Sequence, residues 1–482
     1  MYSQKDVELI KNNIEPIIDQ IELDKLNIYE PTKDEQMKAI NIVLEYVKEK
    51  KRKIYGGYAQ NKLVMYKDKK DNFYKETNIP DIDFYSPEPL QDVKNICDLL
   101  YEAKIGENVV EGKEAVHKET YTVFLNFENT CDISYVPLHM YHKIPFIEID
   151  GFIYVHPSFI YLDLYRVLSE PHFSSRTWDK HFSRLYLLQK HYPFKIYNEK
   201  LNSSYDIPKQ NEQKILQLNK FILNEIKNKD SFIIVGQCAY NYYLEESHIK
   251  DKIYSYINIP LIQIISTNYV HDASTLIRII KEHEDSITFT EFYPFWQFTG
   301  YSIIVYYDNI PLVHIASHND RCTPIKKVSF KTFYDNKVIE DKKSFVQLGS
   351  FDTIFLMNLV AGFRCRVNEL SDKCSYHNVF TSHLIMIRNY YFEKTNKNLL
   401  NDTLFQSFIP KCIGQSEDPM KERLKERRKK AQENKLVIYK YVPGLGMTVP
   451  NFKFANTSGN QIMKAINLKV TKYVFNPDFL NK

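Results

Sequence analysis

Three aspartates carry the chemistry open to this chain: Asp81 and Asp83, two apart in Asn78-Ile79-Pro80-Asp81-Ile82-Asp83-Phe84-Tyr85-Ser86, and Asp132, followed by Ile133 and Tyr135 in a later apolar run. On a strand, residues two apart project from the same face, so Asp81 and Asp83 are expected to point the same way. Asp132 adds a third carboxylate to that face if its strand pairs with theirs. Carboxylates so gathered repel one another and rise in pKa unless a cation neutralises them. Mg²⁺ takes oxygen ligands, and a pair of ions about 3.5–4 Å apart can clamp the attacking and leaving oxygens of an in-line phosphoryl displacement. A site of this kind transfers nucleotides.

Upstream, Ile54-Tyr55 read as a strand that runs into Gly56-Gly57 and then a helix over Ala59 to Val64. Glycines there let the backbone come close to a triphosphate, and the helix N-terminus offers unpaired N–H groups to an anion. Alone, Gly-Gly is a turn signal. The ordered set of strand, Gly-Gly, helix, strand with D-x-D and later strand with a single Asp is what singles this region out.

The same stretch is written twice at an offset of 180 residues, and only the first copy keeps its acids. Asn258-Ile259-Pro260-Leu261-Ile262-Gln263-Ile264-Ile265-Ser266 repeats the D-x-D frame without either aspartate, and Ile234-Val235-Gly236-Gln237-Cys238-Ala239-Tyr240-Asn241 repeats the glycine turn. At that offset Asp132 falls on Leu312. A duplicated unit stripped of its acids points to chemistry in the first copy and architecture or binding in the second.

The elements that must position these residues follow from periodicity. Val7, Ile10, Ile14, Ile17 and Ile21 lie at helical spacing, with Pro16 expected to break or kink the element. Thr32 and Glu35 form a capping box ahead of a helix through Met37, Ile40, Leu44 and Val47, and Ile215, Leu218, Phe221 and Ile226 mark its counterpart before the second copy. Glu119 to Phe127 and Thr130 to Val136 read as strands, and Asp150-Gly151 as a hairpin turn. Ser158 to Leu188 and Ser350 to Val367 read as helical. The expected fold class is α+β: two tandem units, each a small mixed sheet flanked by helices, the second degenerate, with N-terminal helices and a basic C-terminal tail. The expected boundaries are 1–45 for the N-terminal helical segment, 46–195 for the catalytic unit, 196–230 for a connecting helix, 231–408 for the degenerate unit and 409–482 for the tail.

At 482 residues, with 44% hydrophobic residues, the chain suits two or three domains with sizeable cores. It has no apolar run of membrane-spanning length, and Met1-Tyr2-Ser3-Gln4-Lys5-Asp6 opens no signal peptide, so a soluble intracellular protein is expected. Seven cysteines without a C-x-x-C pair argue against a disulfide framework, and Cys365, Cys374 and His377 match no common zinc spacing. The net charge of +4 confines any nucleic-acid footprint to local basic patches. One such patch is Lys421 to Lys430, read as an exposed arm or a solvated helix. Aromatics make up 14% of the chain and crowd the second copy, as in Tyr240, Tyr242, Tyr243, Tyr306 and Tyr307. Most must be core, and a minority at a cleft would serve as stacking platforms for single-stranded RNA.

The set Gly56, Gly57, Asp81, Asp83 and Asp132, over residues 50 to 140, resembles the DNA polymerase β-like nucleotidyltransferase superfamily. Within it, the length, leading helices and degenerate second copy resemble the poly(A) polymerase catalytic subunits of poxviruses and giant DNA viruses. The resemblance implies that Asp81 and Asp83 bind two ions, Mg²⁺ or Mn²⁺, and that Asp132 joins one ion and helps to deprotonate an RNA 3′-hydroxyl. ATP then donates AMP, and pyrophosphate leaves. It further implies the infected-cell cytoplasm or the virion as the setting, and a homodimer or a viral partner subunit. Tyr58 departs from the small Ser common in the superfamily after the second glycine, but shares the nucleotide-binding turn. Arg166, Arg176, Lys180 and Arg184 are further candidates to hold the triphosphate, against the reading of a solvated helix face. Trp178 reads as a base-stacking or core residue, and His139, His142 and His156 as structural. Two alternatives stay open: a terminal transferase of other base specificity, and a non-catalytic RNA-binding or scaffold subunit.

Overall fold

In a computed structural model, the structure describes residues 2–448 apart from 30, 76–77, 106–108, 116, 118, 319–320, 336, 369–370, 415–418 and 434–439. The chain forms helices α1 (Gln4–Ile28) and α2 (Lys33–Glu49), then β1 (Lys53–Tyr55), α3 (Gly56–Lys67), β2 (Ile82–Ser86), α4 (Pro89–Glu102), β3 (Val110–Glu114), β4 (Thr120–Leu125) and β5 (Glu128–Tyr135). It continues through α5 (Leu138–Lys143), the hairpin β6 (Phe146–Ile149) and β7 (Phe152–Val155), and helices α6 (Pro157–Leu168), α7 (Pro171–Ser174) and α8 (Trp178–His191). A second series follows: α9 (Lys209–Ile226), β8 (Phe232–Val235), α10 (Gly236–Ser247), β9 (Ile262–Ser266), α11 (Tyr269–His283), β10 (Thr288–Phe292), β11 (Ser302–Tyr307), β12 (Ile310–Ser317), β13 (Thr323–Tyr334) and β14 (Lys337–Gly349). Then come α12 (Phe351–Val367), α13 (Ser371–Lys394), β15 (Lys411–Ile413), α14 (Pro419–Gln432), β16 (Lys440–Val442) and β17 (Gly446–Thr448). These elements divide into two compact units. The expected α+β class with two mixed sheets is what the structure has.

The first unit holds residues 2–160, Tyr186–Tyr192 and 419–448. Its sheet has nine strands in the order β17-β16-β3-β4-β5-β2-β1-β7-β6. Helix α2 starts at the expected capping box, with the Thr32 hydroxyl accepting from the Glu35 N–H and the Glu35 carboxylate accepting from the Thr32 N–H. It buries Ala39, Ile40, Val43, Tyr46 and Val47, a face rotated from the expected one, because Met37 stays exposed. Beneath that face the fully buried Asp92 of α4 accepts from the Tyr46 hydroxyl at 2.7 Å and from Arg52 at 2.8 Å. A buried carboxylate is tolerable only when so satisfied. Helix α1, capped by Ser3 and Asp6, runs on through Pro16 without a break. At Asp150 and Gly151 both φ angles are positive, as a two-residue type I′ hairpin requires, and Ile149 pairs with Phe152.

The described tail residues 419–448 also belong to this unit, while residues 409–414 fall in the second. Tyr441 pairs with Gly112, so β16 and β17 extend the sheet edge next to β3. That stretch was expected to be an exposed arm. Residues 449–482 of the expected tail lie outside the described residues.

The second unit holds Tyr161–Leu185 and residues 193–414. Its sheet has eight strands in the order β10-β11-β12-β9-β8-β14-β13-β15. Its core gathers Ile215, Leu218 and Ile222 of α9 with Ile233, Ile264, Val313 and Leu348 of the sheet and Phe355 and Leu384 of the C-terminal helices. Tyr240 and Tyr243 are wholly buried there, so these members of the aromatic crowd are core. The expected continuous helical stretch from Ser158 to Leu188 is interrupted at Glu170–Pro171 and again before Trp178, where proline and short polar residues stop the backbone hydrogen bonding. The reading of the cysteines is overturned for four of the seven: the sulfurs of Cys322 and Cys412 meet, as do those of Cys365 and Cys374. Cys322 and Cys412 are 90 residues apart and are brought together by tertiary contacts, whereas Cys365 and Cys374, already grouped in the sequence, are nine apart.

Candidate active site

Strand pairing sets the site. Strand β1 runs antiparallel to β2 with Tyr55 opposite Asp83, and β2 runs parallel to β5 with Asp83 opposite Asp132. Facing residues in adjacent strands lie on the same side of the sheet, and Asp81, one step before β2 and two before Asp83, joins them there. One carboxylate oxygen from each of Asp81, Asp83 and Asp132 lies within 4.8 Å of the other two, and all three side chains are partly open. The second site residue set, Gly56 and Gly57, opens α3 directly after Tyr55, at the end of the strand facing Asp83.

Gly56 has φ +70°, and a Cβ built on it would fall 1.8 Å from Asp83 Oδ2. Only glycine supplies both that backbone conformation and that space. The N-cap of α3 is Tyr55, which makes no side-chain capping bond. Tyr55 instead bonds Ser134 through its hydroxyl at 2.7 Å and stacks on Tyr85 with ring centroids 4.0 Å apart.

Two neutral side chains that sequence reasoning missed hold the acids in place. Thr122 of β4 donates to Asp132 Oδ1 at 2.5 Å, and Asn129 lies 3.4 Å from Asp81 Oδ2 and 3.5 Å from Asp132 Oδ2. Thr122 reaches Asp132 only because a bulge between Val123 and Phe124 shifts the β4–β5 register by one residue. Without it Thr122 would face Cys131 and project from the opposite side. No local feature of the sequence marks that bulge. Burial is the main cause that raises the Asp132 carboxyl above its ordinary pKa; the Thr122 hydrogen bond opposes the rise, and the Asp81 charge adds to it. Three acids of this kind favour a cation, and an all-carboxylate donor set suits a hard divalent ion.

The remaining candidates are more dispersed. Tyr58 lies on α3 with its ring 6.5 Å from that of Tyr154 and the Lys62 ammonium 5.3 Å over its face. Arg166, Arg176, Lys180 and Arg184 all fall in the second unit, whereas the carboxylates belong to the first. Arg166 pairs with Asp163 at 3.1 Å and bonds Gln297 at 3.2 Å, while Arg176 and Lys180 are exposed. Trp178 donates to Ser174 at 2.9 Å and packs on Phe182 and Phe408. His156 bonds Ser158 at the start of α6, and His377 bonds Asn358, with burial pushing its pKa down to about 4.

In the second unit Val235 stands opposite Gln263, Gly236 has φ +60°, and its Cβ would fall 1.9 Å from Gln263 Oε1. The glycine turn is thus preserved while the acid has become an amide. Gln263 faces His314, not Leu312, across β9 and β12. His314 is therefore the spatial counterpart of Asp132, two residues beyond the position given by the constant offset, and Leu312 is core. Burial, with Arg364 nearby, pushes the His314 pKa down to about 4.

The family model described as "Poly(A) polymerase catalytic subunit" matches residues 41–174, and the model described as "APMV, Putative poly(A) polymerase, catalytic subunit, C-terminal" matches residues 187–472. A protein of Acanthamoeba polyphaga mimivirus named "Putative poly(A) polymerase catalytic subunit" is 30% identical over 493 residues, covering 96% of this chain and 83% of that protein. A protein of the same name from African swine fever virus, isolate Pig/Kenya/KEN-50/1950, is 28% identical over 35% of this chain and 37% of its own length. The solved structure titled "Crystal structure of the Megavirus polyadenylate synthase" superimposes with a TM-score of 0.81 at 30% identity, over 92% of this chain and 87% of that one.

Proposed function

Since the chain belongs to the poly(A) polymerase catalytic subunit family, and so is a polynucleotide adenylyltransferase acting on RNA and ATP with divalent metal, we propose that Asp81, Asp83 and Asp132 are its catalytic carboxylates. The observation that carries this reading is their convergence within 4.8 Å on two parallel strands beside a glycine turn. The donor set fits two hard divalent ions, Mg²⁺ or Mn²⁺, with Asp81 and Asp83 holding both and Asp132 one. When bound, the metal neutralises the triphosphate and lowers the pKa of the primer hydroxyl.

Around that chemistry the chain's own residues bind and orient. Asp132, held by Thr122, accepts the proton of the RNA 3′-hydroxyl. The freed oxygen bonds to the α-phosphorus of ATP as the bond to pyrophosphate breaks, so the RNA gains one AMP. Gly56 and Gly57 keep the α3 N-terminus clear of side-chain bulk for the triphosphate, with Tyr58 beside them. Arg166, Arg176, Lys180 and Arg184 of the second unit are proposed as phosphate-binding residues. Synthesis without a template follows from the family, and the choice of adenine must come from residues other than the carboxylates, which act on phosphates and read no base. The catalytic role falls to residues 46–195, and the degenerate unit of residues 231–408 serves architecture or RNA binding. The setting is the host cytoplasm or the virion, and a second copy of the chain or another viral subunit is the partner. Among the described residues no helix is long and apolar enough to cross a membrane.

The test is extension of a labelled RNA primer with each nucleoside triphosphate supplied separately in Mg²⁺ or Mn²⁺. Long tails with ATP alone are expected; extension with UTP, or none at all, overturns the reading. Asp81→Ala with Asp83→Ala is expected to abolish extension and to leave RNA affinity in place.

A further inference from the structure

We propose that the cleft of the second unit binds the phosphate group of a nucleotide, free or within an RNA strand, with the Arg364 guanidinium as its counter-charge. Such a site deepens, and rests on, the reading of the degenerate unit as one that binds. Register carries a row of side chains across its sheet: Thr290 of β10, Ile304 of β11, His314 of β12, Gln263 of β9 and Val235 of β8. Facing residues in adjacent strands share a side of the sheet, and this row corresponds to Thr122, Asp132, Asp83 and Tyr55 in the first unit. The opposite side is sealed, with Ile262, Ile264, Ile303, Val305, Val313 and Ile315 all buried. On the side of the row, Gln263, Ile304 and His314, with Phe292 and Tyr306 beside them, are each only partly buried. The cleft has therefore stayed open after losing its acids.

Helix α12 lays Arg364 over this face, its Cζ 5.2 Å from the centre of the Phe292 ring and 5.6 Å from that of Phe295. Among the described residues this half-buried guanidinium has neither an ion pair nor a hydrogen bond. Burial pushes its pKa down, the Tyr306 phenol alone opposes that, and no carboxylate acts on it. Arg364 is in turn the one charge that acts on His314. Ring faces compensate a desolvated cation only in part, so an anion is the missing partner. Two more groups on the face lack partners: among the described residues His314 Nε2 and Ser302 Oγ are buried without a hydrogen bond. Ser302 lies two residues before Ile304 and opposite Phe292. A guanidinium, an imidazole and a hydroxyl on one face suit the several oxygens of a phosphate, and Phe292 and Tyr306 offer rings to a base.

The glycine turn of this unit is not the holder. Gln237, at the start of α10, is buried, its Oε1 accepts from the Leu261 N–H at 2.8 Å, and its own N–H lies 3.4 Å from Gln263 Oε1. The chain's own amides thus fill the helix N-terminus where the first unit leaves room for a triphosphate. With no acid in the row to hold a cation, the second cleft has kept a place for an anion and moved it from the turn to α12.

The full chain carrying Asp81→Ala with Asp83→Ala is titrated with AMP by calorimetry in EDTA, so that the first site holds neither metal nor a metal-bound nucleotide. AMP is expected to bind, and to bind at least about tenfold more weakly when Arg364→Met is added. Arg366→Gln, two residues on and exposed, is expected to leave the affinity unchanged. Displacement of AMP by a short oligoadenylate assigns the site to RNA, whereas displacement by inorganic phosphate and ATP alone assigns it to the free nucleotide. Should Arg364→Met fail to fold, Arg364→Lys gives the readout: it keeps the charge, loses the planar fork and is expected to weaken AMP at least about threefold. Absence of AMP binding in EDTA, or binding that the Arg364 variants leave within about twofold of the parent, overturns the site. Primer extension by the unmodified chain decides the proposed function separately, because it needs the aspartates and the metal that this titration omits.

Discussion

Replacing Gly56 with alanine tests whether the glycine turn serves the acids directly. The added methyl would lie 1.8 Å from Asp83 Oδ2 and 2.8 Å from Asp83 Cβ, so rotating the carboxylate cannot clear it. Ordinary contact begins near 3.4 Å, and the carboxylate must therefore retreat by about 1.5 Å. Misplacing a reacting group by about 1 Å costs on the order of 10²-fold, so the extension rate is expected to fall at least ~100-fold, or ~2.7 kcal/mol in the barrier. The positive φ of +70° adds about 1–3 kcal/mol of backbone strain, which for a unit of this size lowers Tm by roughly 2–12 °C. Gly236→Ala is the matched control: it meets the same clash, at 1.9 Å from Gln263 Oε1, and the same strain, at φ +60°, in a unit without the acids. Single-turnover extension of a labelled primer is read beside thermal melting for both variants. The expected pattern is similar loss of Tm with activity lost only in Gly56→Ala. Equal loss of activity in both, or a Gly56→Ala enzyme within about threefold of wild type, would refute the steric coupling of Gly56 to Asp83.

Three further outcomes follow from the geometry. Thr122→Val removes the hydroxyl that holds Asp132 and should raise the metal concentration for half-maximal extension by roughly 10–100-fold, with Thr122→Ser restoring it. His314, half-buried and with its pKa pushed down to about 4 by desolvation, favours the neutral form in the fold, so its stability contribution is complete above the unfolded pKa of about 6.5 and is lost as pH falls towards 4. His314→Gln should therefore lose ~2 kcal/mol less than wild type between pH 8 and pH 5 in denaturant unfolding. Arg427 of α14 is paired with Glu114 at 3.3 Å, whereas Arg428 and Lys429 are exposed. Replacing Arg428 and Lys429 with glutamine should flatten the slope of log K against log salt for single-stranded RNA by about 0.7 per charge, and an unchanged slope would remove α14 from the RNA path.

What was legible in the sequence is what local periodicity encodes. The D-x-D of Asp81 and Asp83 announces a shared face because a strand repeats every two residues, and Thr32 with Glu35 announces a helix start because the capping box is local. Contacts set by strand register were not legible. The bulge that brings Thr122 to Asp132 has no composition signature, and the match of Cys412 to Pro324 joins segments far apart in the chain. The assignment of Leu312 failed for a related reason: the second copy has two more residues between the paired strands, and a shift of two preserves the inward-outward alternation. The edge hairpin of β16 and β17 escaped notice because a three-residue strand acquires its identity from its neighbour.

The degenerate copy separates two roles that the glycine turn could have had. Where the first unit has Asp81, Asp83 and Asp132, the second has Leu261, Gln263 and His314. Three acids need cations to coexist, whereas an aliphatic chain, an amide and a neutral imidazole can be buried without one. Leu261 is buried and its N–H donates to Gln237 at 2.8 Å, and burial keeps His314 uncharged. Yet Gly236 keeps its positive φ and its close approach to residue 263, although the neighbouring side chain is no longer an anion. The turn is thus required by the register of the first two strands, which drives the side chain opposite the strand end into the space above the glycine, whatever its charge. Conservation of that geometry without acids makes glycine a condition of the fold, and it leaves the three aspartates as the difference between a unit that does chemistry and one that does not.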